Sequence, residues 1–354
     1  MELNGDLRFE SRNLILARQI RQLTQAELSE EARITQGTLS KIENGTFVPA
    51  EDAVTQIGNA LSFPNHFFYQ DLGDVRIKRP LFRRRLSLTK KQLDACCARI
   101  QLFLFQIRRL LQSAEIPSSN VFNVDLHQIN SGIQQIAKLL RVRWKLSQGP
   151  IGDLISLAED NGCIVIPFDF KTRLVDGCSC YLDSTPIIFV NKLAPVDRQR
   201  FTIAHELGHL IMHVLDISEE AEFEANVFAA EFLMPQDDII SSFYPFSIDR
   251  LARLKLHWKV SMQALLKRAS DLRVLSDRQA RYYWMQLNRM GFRESEPHSD
   301  RLPKEKATTL SELIDVHRSD LGWNWSKLSD YLCVWEDDAR AHYALNEAYL
   351  TVVK

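Results

Sequence analysis

Residues 201–213 read FTIAHELGHLIMH, three histidines and one glutamate set in an apolar run. On an α-helix His205 and His209 fall one turn apart on the same face, about 6 Å apart along the axis, so both imidazoles can reach one ion. Glu206 follows His205 directly. In the H-E-x-x-H arrangement its carboxylate can lie beside the open position of the ion and take a proton from water. Chance gives this pattern in a chain of such composition with an expectation of roughly one to two per cent, so the flanks have to decide. They are apolar on both sides, as a buried helix requires, and the strand-like PIIFVN precedes them at short range. His213 lies about 12 Å from His205 along the axis and about 80° around it, so one ion cannot be held by both. It reads as a helix-end or rim residue.

A third ligand has to come from another helix, and EEAEFEANVFAAEFLMP at 219–235 offers one. Glu222 and Asn226 stand at i and i+4. Glu222 can complete a His2Glu site with a fourth position left for water, while Asn226 can hydrogen-bond a ligating histidine from behind. Glu224 is the main rival for the ligand role, and Glu219, Glu220 and Glu231 read as a solvated face. Cys178 and Cys180 lack both the spacing and the second pair of a structural zinc site and read as small strand residues.

Outward from this motif, the 354 residues are 45% hydrophobic and 25% charged with a net charge of -1, which is ordinary globular composition and excludes disordered and fibrous classes. The length implies two or three domains. With charge so balanced, affinity for nucleic acid has to come from local patches. No secretory leader and no apolar run of spanning length is visible, so a cytoplasmic location and no membrane partner are expected. The six cysteines form no disulfide pattern, and reduced thiols follow.

At the N-terminus, LTQAELSEEARITQGTLSKIENG (23–45) reads as two short helices, capped by Thr24 and Thr35 and joined by a turn near Arg33. Leu28, Ala32, Ile34, Leu39 and Ile42 sit where crossed helices would bury them, which is a helix-turn-helix pattern. The second helix of such a pair enters the major groove with its N-terminal part. Gln36, Thr38, Ser40 and Lys41 are then the expected contacts to double-stranded operator DNA, with Gln25 on the preceding helix anchoring the backbone. Gly37 stands where a polar residue is common. The basic stretch from Arg76 to Lys91 adds sequence-independent affinity for phosphates, and a helical protein-binding module is the alternative reading of this domain.

Between these regions, helices are expected at about 89–114 and 125–141. A helix then ends at Gly162, and CIVIPFDF, CSCYLD and PIIFVN read as strands. Substrate main chain can pair with PIIFVN, and Tyr181 and His257 are candidates for oxyanion stabilisation. SIDRLARLKLHWKVSMQALLKRASDL (247–272) has a helix-turn-helix shape but reads as packing. A polar linker follows at 292–306, then a small tryptophan-containing helical unit; no internal repeat at a fixed period is visible.

FTIAHELGHLIMH followed by EFEANVFAAEFLMP resembles the ImmA/IrrE family of zinc metallopeptidases, compact gluzincin-like proteases. That resemblance implies Zn2+ held by His205, His209 and Glu222, with Glu206 as general base. The T-Q-x-x-L-S opening and x-I-E-N-G closing resemble the XRE, or lambda-repressor-like, family. The expected fold is mainly α with a small β-sheet. It comprises a five-helix lambda-repressor-like domain at 12–72, a basic connector with linker helices at 75–145, a metallopeptidase domain at 148–291 and a helical C-terminal appendix at 307–354. The implied function is a DNA-binding regulator that cuts a repressor or antitoxin-like protein. A homodimer is compatible with this architecture. The alternatives are a regulator whose zinc domain is a sensor or scaffold, and an antitoxin-like binder.

Overall fold

Thr24 and Thr35 start consecutive helices by the same device, each hydroxyl accepting a main-chain N–H three residues on, Glu27 and Thr38 respectively, at 3.2 Å. The computed structural model that shows this describes residues 8–73, 88–126, 132–214, 219–293 and 295–343. The basic stretch expected to assist DNA binding lies, up to residue 87, outside the described residues. The chain is mainly helical with one small sheet and divides into two compact units. The first takes described residues up to 73, 88–116 and 310–343, and the second takes those from 117 to 309.

In the first unit, helices α1 (Ser11–Arg21), α2 (Gln25–Glu31), α3 (Gln36–Glu43) and α4 (Glu51–Leu61) are followed by a 3-10 turn (Asn65–Tyr69) and the long α5 (Lys90–Leu110). Leu14, Leu28, Leu39, Ile42, Ile57, Leu61, Phe67 and Phe68 are wholly buried. Arg33 takes a left-handed conformation (φ 54°) that ends α2 and turns the chain into α3. A buried polar clamp fixes the angle between these helices. Arg18 donates to both oxygens of Glu43 at 2.6 and 2.9 Å, and the Gln25 amide donates to the same carboxylate at 2.7 Å.

At the C-terminus α14 (Thr309–Asp315) runs into a π-helical turn from Val316, and α15 (Trp325–Leu332) and α16 (Glu336–Tyr343) follow it. Helices α15–α16 follow the local pattern of α2–α3, a single likeness without a fixed period. Asn324 caps α15 as Thr24 caps α2, Ser329 bonds back to the Ser326 carbonyl as Ser29 does to Ala26, and Cys333 is left-handed (φ 57°) as Arg33 is. Leu28 and Leu328 are both fully buried. The second copy opens its second helix with Glu336, Asp337 and Asp338 in place of Gln36, Gly37 and Thr38. Cys333 joins the same apolar cluster as Leu102 and Phe105 of α5. Gln106 donates to the Leu332 carbonyl at 3.1 Å and accepts from the Tyr343 hydroxyl.

The second unit begins its regular structure with α6 (Ile133–Arg143) and α7 (Leu154–Asp160), the latter capped by Asp153. Helix α6 starts at Ile133 rather than near Asp125, and residues 127–131 are outside the described set. Strands β1 (Ile164–Phe168), β2 (Gly177–Leu182) and β3 (Thr185–Asn191) form a sheet in the order β1-β3-β2. β1 runs parallel to β3, with Ile164 opposite Ile187, and β2 antiparallel to it, with Ser179 opposite Ile188. PIIFVN is therefore the central strand with both edges occupied, which corrects the expectation that a substrate pairs with it. Then come α8 (Val196–Met212), α9 (Ala221–Leu233), α10 (Gln236–Ile239), α11 (Ile248–Trp258), α12 (Met262–Asp271) and α13 (Asp277–Arg289).

Helix α8 is buried on every face from Thr202 to Met212, so the polar side chains it carries there, His205, Glu206 and His209, lie inside the unit. It packs on α9, β2 and β3. Ion pairs tie the surrounding helices: Glu231 of α9 with Arg268 of α12, Arg200 of α8 with Glu305, and Lys255 of α11 with Asp197 at 2.6 Å and Glu296 at 2.8 Å. Leu251, Trp258, Val260, Met262 and Leu265 of the second helix-turn-helix-shaped segment belong to this core, as expected of packing.

Candidate functional site

Two glycines let the site close. A Cβ on Gly208 would stand 3.1 Å from Phe228 and 3.3 Å from the Cα of Ala225, so its absence draws α8 and α9 together. A Cβ on Gly177 would stand 2.5 Å from Thr202 and 2.7 Å from the Phe189 carbonyl oxygen, so only glycine lets β2 lie this close to α8.

Within that frame His205 Nε2 and His209 Nε2 are 3.0 Å apart. Glu222, reaching in from α9, places one oxygen 3.5 Å from His205 Nε2 and the other 3.2 Å from His209 Nε2. These are the donor atoms that tetrahedral zinc takes, and bonds of about 2.0–2.1 Å set such atoms about 3.3 Å apart. The three side chains thus fit one ion. The imidazoles are buried while the Glu222 side chain is 45% exposed, so the seat has one face open to solvent. Burial pushes the His209 imidazole below its ordinary range, against the opposing pull of the Glu222 carboxylate, which keeps it neutral and able to ligate at pH 7. Burial acts to raise Glu222, but the adjoining imidazoles of His205 and His209 outweigh it and hold the carboxyl well below the usual range.

Glu206, fully buried beside His205, accepts from Ser179 Oγ at 2.7 Å through Oε2. Cys180 lies near the same carboxylate, and burial first, with Glu206 second, pushes its thiol up to about 12. Among the described residues the ligand atoms that converge are those of His205, His209 and Glu222, without either cysteine, in line with the reading of Cys178 and Cys180 as strand residues.

Other expected residues are placed differently. Asn226 is not brought to an imidazole; its amide donates to the main-chain carbonyl of Glu222 at 2.6 Å, one turn back on its own helix. His213 is the residue that caps the C-terminal end of α8, the helix-end position expected of it, and it is buried. It stands beyond His209 as His209 stands beyond His205, is 5% exposed, and brings Nδ1 to 3.0 Å from His209 Nδ1. Its Nε2 meets Glu224 at 2.9 Å, which gives that rival carboxylate a partner away from the seat. Tyr181 is committed as well: its hydroxyl lies 3.0 Å from Asn123 Oδ1 and 3.2 Å from the Leu210 carbonyl oxygen, and burial pushes it up to about 12. His257 is exposed on α11, its ring against Trp258. Sequence reasoning missed Ser179 and Gly177; their signal is the run of small residues in GCSC.

In the first unit, Gln36 and Lys41 of α3 are exposed, and Thr38 and Ser40 are half-buried. Thr38 Oγ1 lies 2.9 Å from Thr35 Oγ1, while the Asn44 amide donates to Ser40 at 3.5 Å. A Cβ on Gly37 would meet nothing within 4 Å, so packing does not require glycine there. Gln25 serves the Glu43 clamp through its amide nitrogen.

No curated protein matches the chain. Residues 12–66 match the model of a helix-turn-helix domain, and residues 158–270 match that of the IrrE N-terminal-like domain of peptidase family M78. Among the described residues no helix is long and apolar enough to cross a membrane. With a helix-turn-helix at one end and a His-His-Glu cluster inside the matched peptidase region, the chain joins an XRE-type DNA-binding domain to an ImmA/IrrE-like metallopeptidase domain.

Proposed function

We propose that the protein is a DNA-tethered zinc endopeptidase that cuts a regulatory protein, a repressor or an antitoxin-like partner. The supporting observation is the convergence of His205, His209 and Glu222, whose ligand atoms all lie within 4.8 Å of one another, with Glu206 adjoining on the same helix. His205, His209 and Glu222 would hold the ion. When bound, zinc supplies Lewis acidity toward a peptide carbonyl and toward water.

The chain's own groups do the rest. Glu206 is the proton acceptor, and the Ser179 hydroxyl at 2.7 Å holds one carboxylate oxygen so that the other is presented. The burial of α8 excludes bulk water from the far side of the base and strengthens its electrostatic interactions. Among the described residues β2 pairs only with β3, so its outer edge can take an extended substrate main chain, and β2 also carries Ser179. Binding through Gln36, Thr38, Ser40 and Lys41 would hold the peptidase near proteins on the same operator and raise their effective concentration.

Glu206→Gln tests this directly. The variant should keep one zinc per chain and a native circular dichroism spectrum while cleavage of the DNA-bound partner falls by at least a hundredfold. Undiminished cleavage would refute the assignment, and regulation in cells that survives the substitution would favour a scaffold.

A further inference from the structure

A chain of contacts runs away from the candidate metal seat: His209 Nδ1 to His213 Nδ1 at 3.0 Å, then His213 Nε2 to Glu224 Oε2 at 2.9 Å. His213 and the Glu224 side chain are largely buried, at 5% and 16% exposure, and α9 supplies Glu224 as well as Glu222. Neither His213 nor Glu224 reaches the seat itself.

We propose that Glu224 and His213 act as positioning residues that set the tautomer and ring orientation of His209, and so its power to bind the ion. This rests on the zinc reading above. Hydrogen-bonding capacity gives the direction. An ionised carboxylate only accepts, so His213 Nε2 must carry the proton in that contact. Neutral His213 then presents Nδ1 as an acceptor, and His209 Nδ1 must be the donor. That leaves the lone pair of His209 on Nε2, the atom 3.2 Å from Glu222 and 3.0 Å from His205 Nε2.

A carboxylate behind a ligating imidazole is a common way to fix the ring and raise its basicity. Here the effect passes through a second imidazole, one helical turn along. Its partner ligand is held otherwise: among the described residues His205 Nδ1 has no hydrogen-bond partner. Of the two imidazoles, then, His209 is the one oriented in advance. Because α9 provides both Glu222 and Glu224, the packing of α8 on α9 assembles the ligand set and its support together.

The test is zinc affinity of the full-length protein, measured by competition with a chromophoric chelator. The proteins compared are wild type, His213→Phe, Glu224→Ala, Glu224→Gln and the double variant His213→Phe/Glu224→Ala. His213→Phe and Glu224→Ala should each weaken zinc binding about 10- to 100-fold. Glu224→Gln, whose amide oxygen can still accept from His213, should recover most of the loss. The double variant should be no more than about twofold weaker than the worse single one, because both act through one chain. Affinities of the single variants within twofold of wild type, or losses that multiply in the double variant, would overturn the proposal. A Glu224→Gln protein as weak as Glu224→Ala would do so too. Wild-type protein that takes up no zinc would instead sink the metal reading on which this one stands.

Discussion

Ser179 Oγ and Glu206 Oε2 are 2.7 Å apart, a hydrogen bond from an edge strand to the buried acid of the H-E-x-x-H helix. The contact requires β2 to lie against α8, which Gly177 permits. Ser179→Ala should therefore lower turnover about tenfold, less than the about 10²–10⁴-fold that the acid–base group itself supplies, while zinc affinity stays within twofold of wild type. A kinetic assay paired with chelator competition separates the two effects, and an equal loss of zinc would argue against an orienting role.

Glu43 receives three hydrogen bonds, two from Arg18 and one from Gln25. Its replacement leaves the half-buried Arg18 guanidinium without its carboxylate, which costs less than the about 3–5 kcal/mol of breaking a fully buried pair. Glu43→Ala should lower the unfolding free energy of the helix-turn-helix unit by about 2–3 kcal/mol, read from denaturant unfolding curves. Gln25→Ala should cost about 1 kcal/mol, as expected of one charge-assisted bond on a half-buried side chain. A Gln25→Ala protein of unchanged stability but weakened DNA affinity would return Gln25 to the DNA surface.

Lys41 and Gln36 are exposed at the end and the start of α3. Lys41→Ala should weaken binding to all DNA sequences about equally and reduce the salt dependence of affinity by about one counterion. Gln36→Ala should cost about 1–3 kcal/mol at one base position only. Fluorescence anisotropy with an operator fragment at several salt concentrations distinguishes them, and unchanged affinity in both variants would point to a protein-binding module.

Asp169, beside Lys171 at 3.0 Å and Lys192 at 3.2 Å, titrates below its ordinary value. Partial burial opposes the shift, but the hydrogen bonds from Lys171 and Lys192 prevail and bring the carboxyl down to about 2. An acid whose folded value is depressed stabilises the fold fully above its unfolded value, near 3.9, and that contribution disappears as pH falls toward the folded one. The advantage of wild type over Asp169→Asn should thus be about 1 kcal/mol at pH 5, after allowance for solvent screening, and should shrink between pH 4 and pH 2. Urea midpoints at those pH values provide the check; an advantage that grows on acidification would contradict it.

Much of this architecture is written in local spacing. Thr24, Thr35 and the left-handed turn at Arg33 specify the first helix pair, and the four-residue interval from His205 to His209 specifies a shared face. His213 falls at the helix end, as its distance from His205 along the axis implies, while its contact with His209 follows from a second four-residue interval. Asn226 was assigned to an imidazole without weighing the main-chain carbonyl one turn behind it, which competes for any short amide on a helix. The role of PIIFVN was misjudged because strand order in the chain does not reveal order in the sheet: β1 comes first in sequence yet lies beside β3, closing that edge. The likeness of α15–α16 to α2–α3 was hidden by composition, since acids and tryptophan replace the polar residues while the caps and the turn persist.

The first unit takes its helices from both sides of the peptidase insertion, with Gln106 bonded to Leu332 and Tyr343. A single nick in any loop between residues 117 and 309 would consequently not set the amino-terminal helices adrift from the carboxy-terminal ones. The two fragments would stay docked through Leu102, Phe105 and Cys333 and their polar partners. Self-cleavage at one site would therefore leave this head assembled, and silencing it by proteolysis would take a cut inside α1 to α5 or within the final helices.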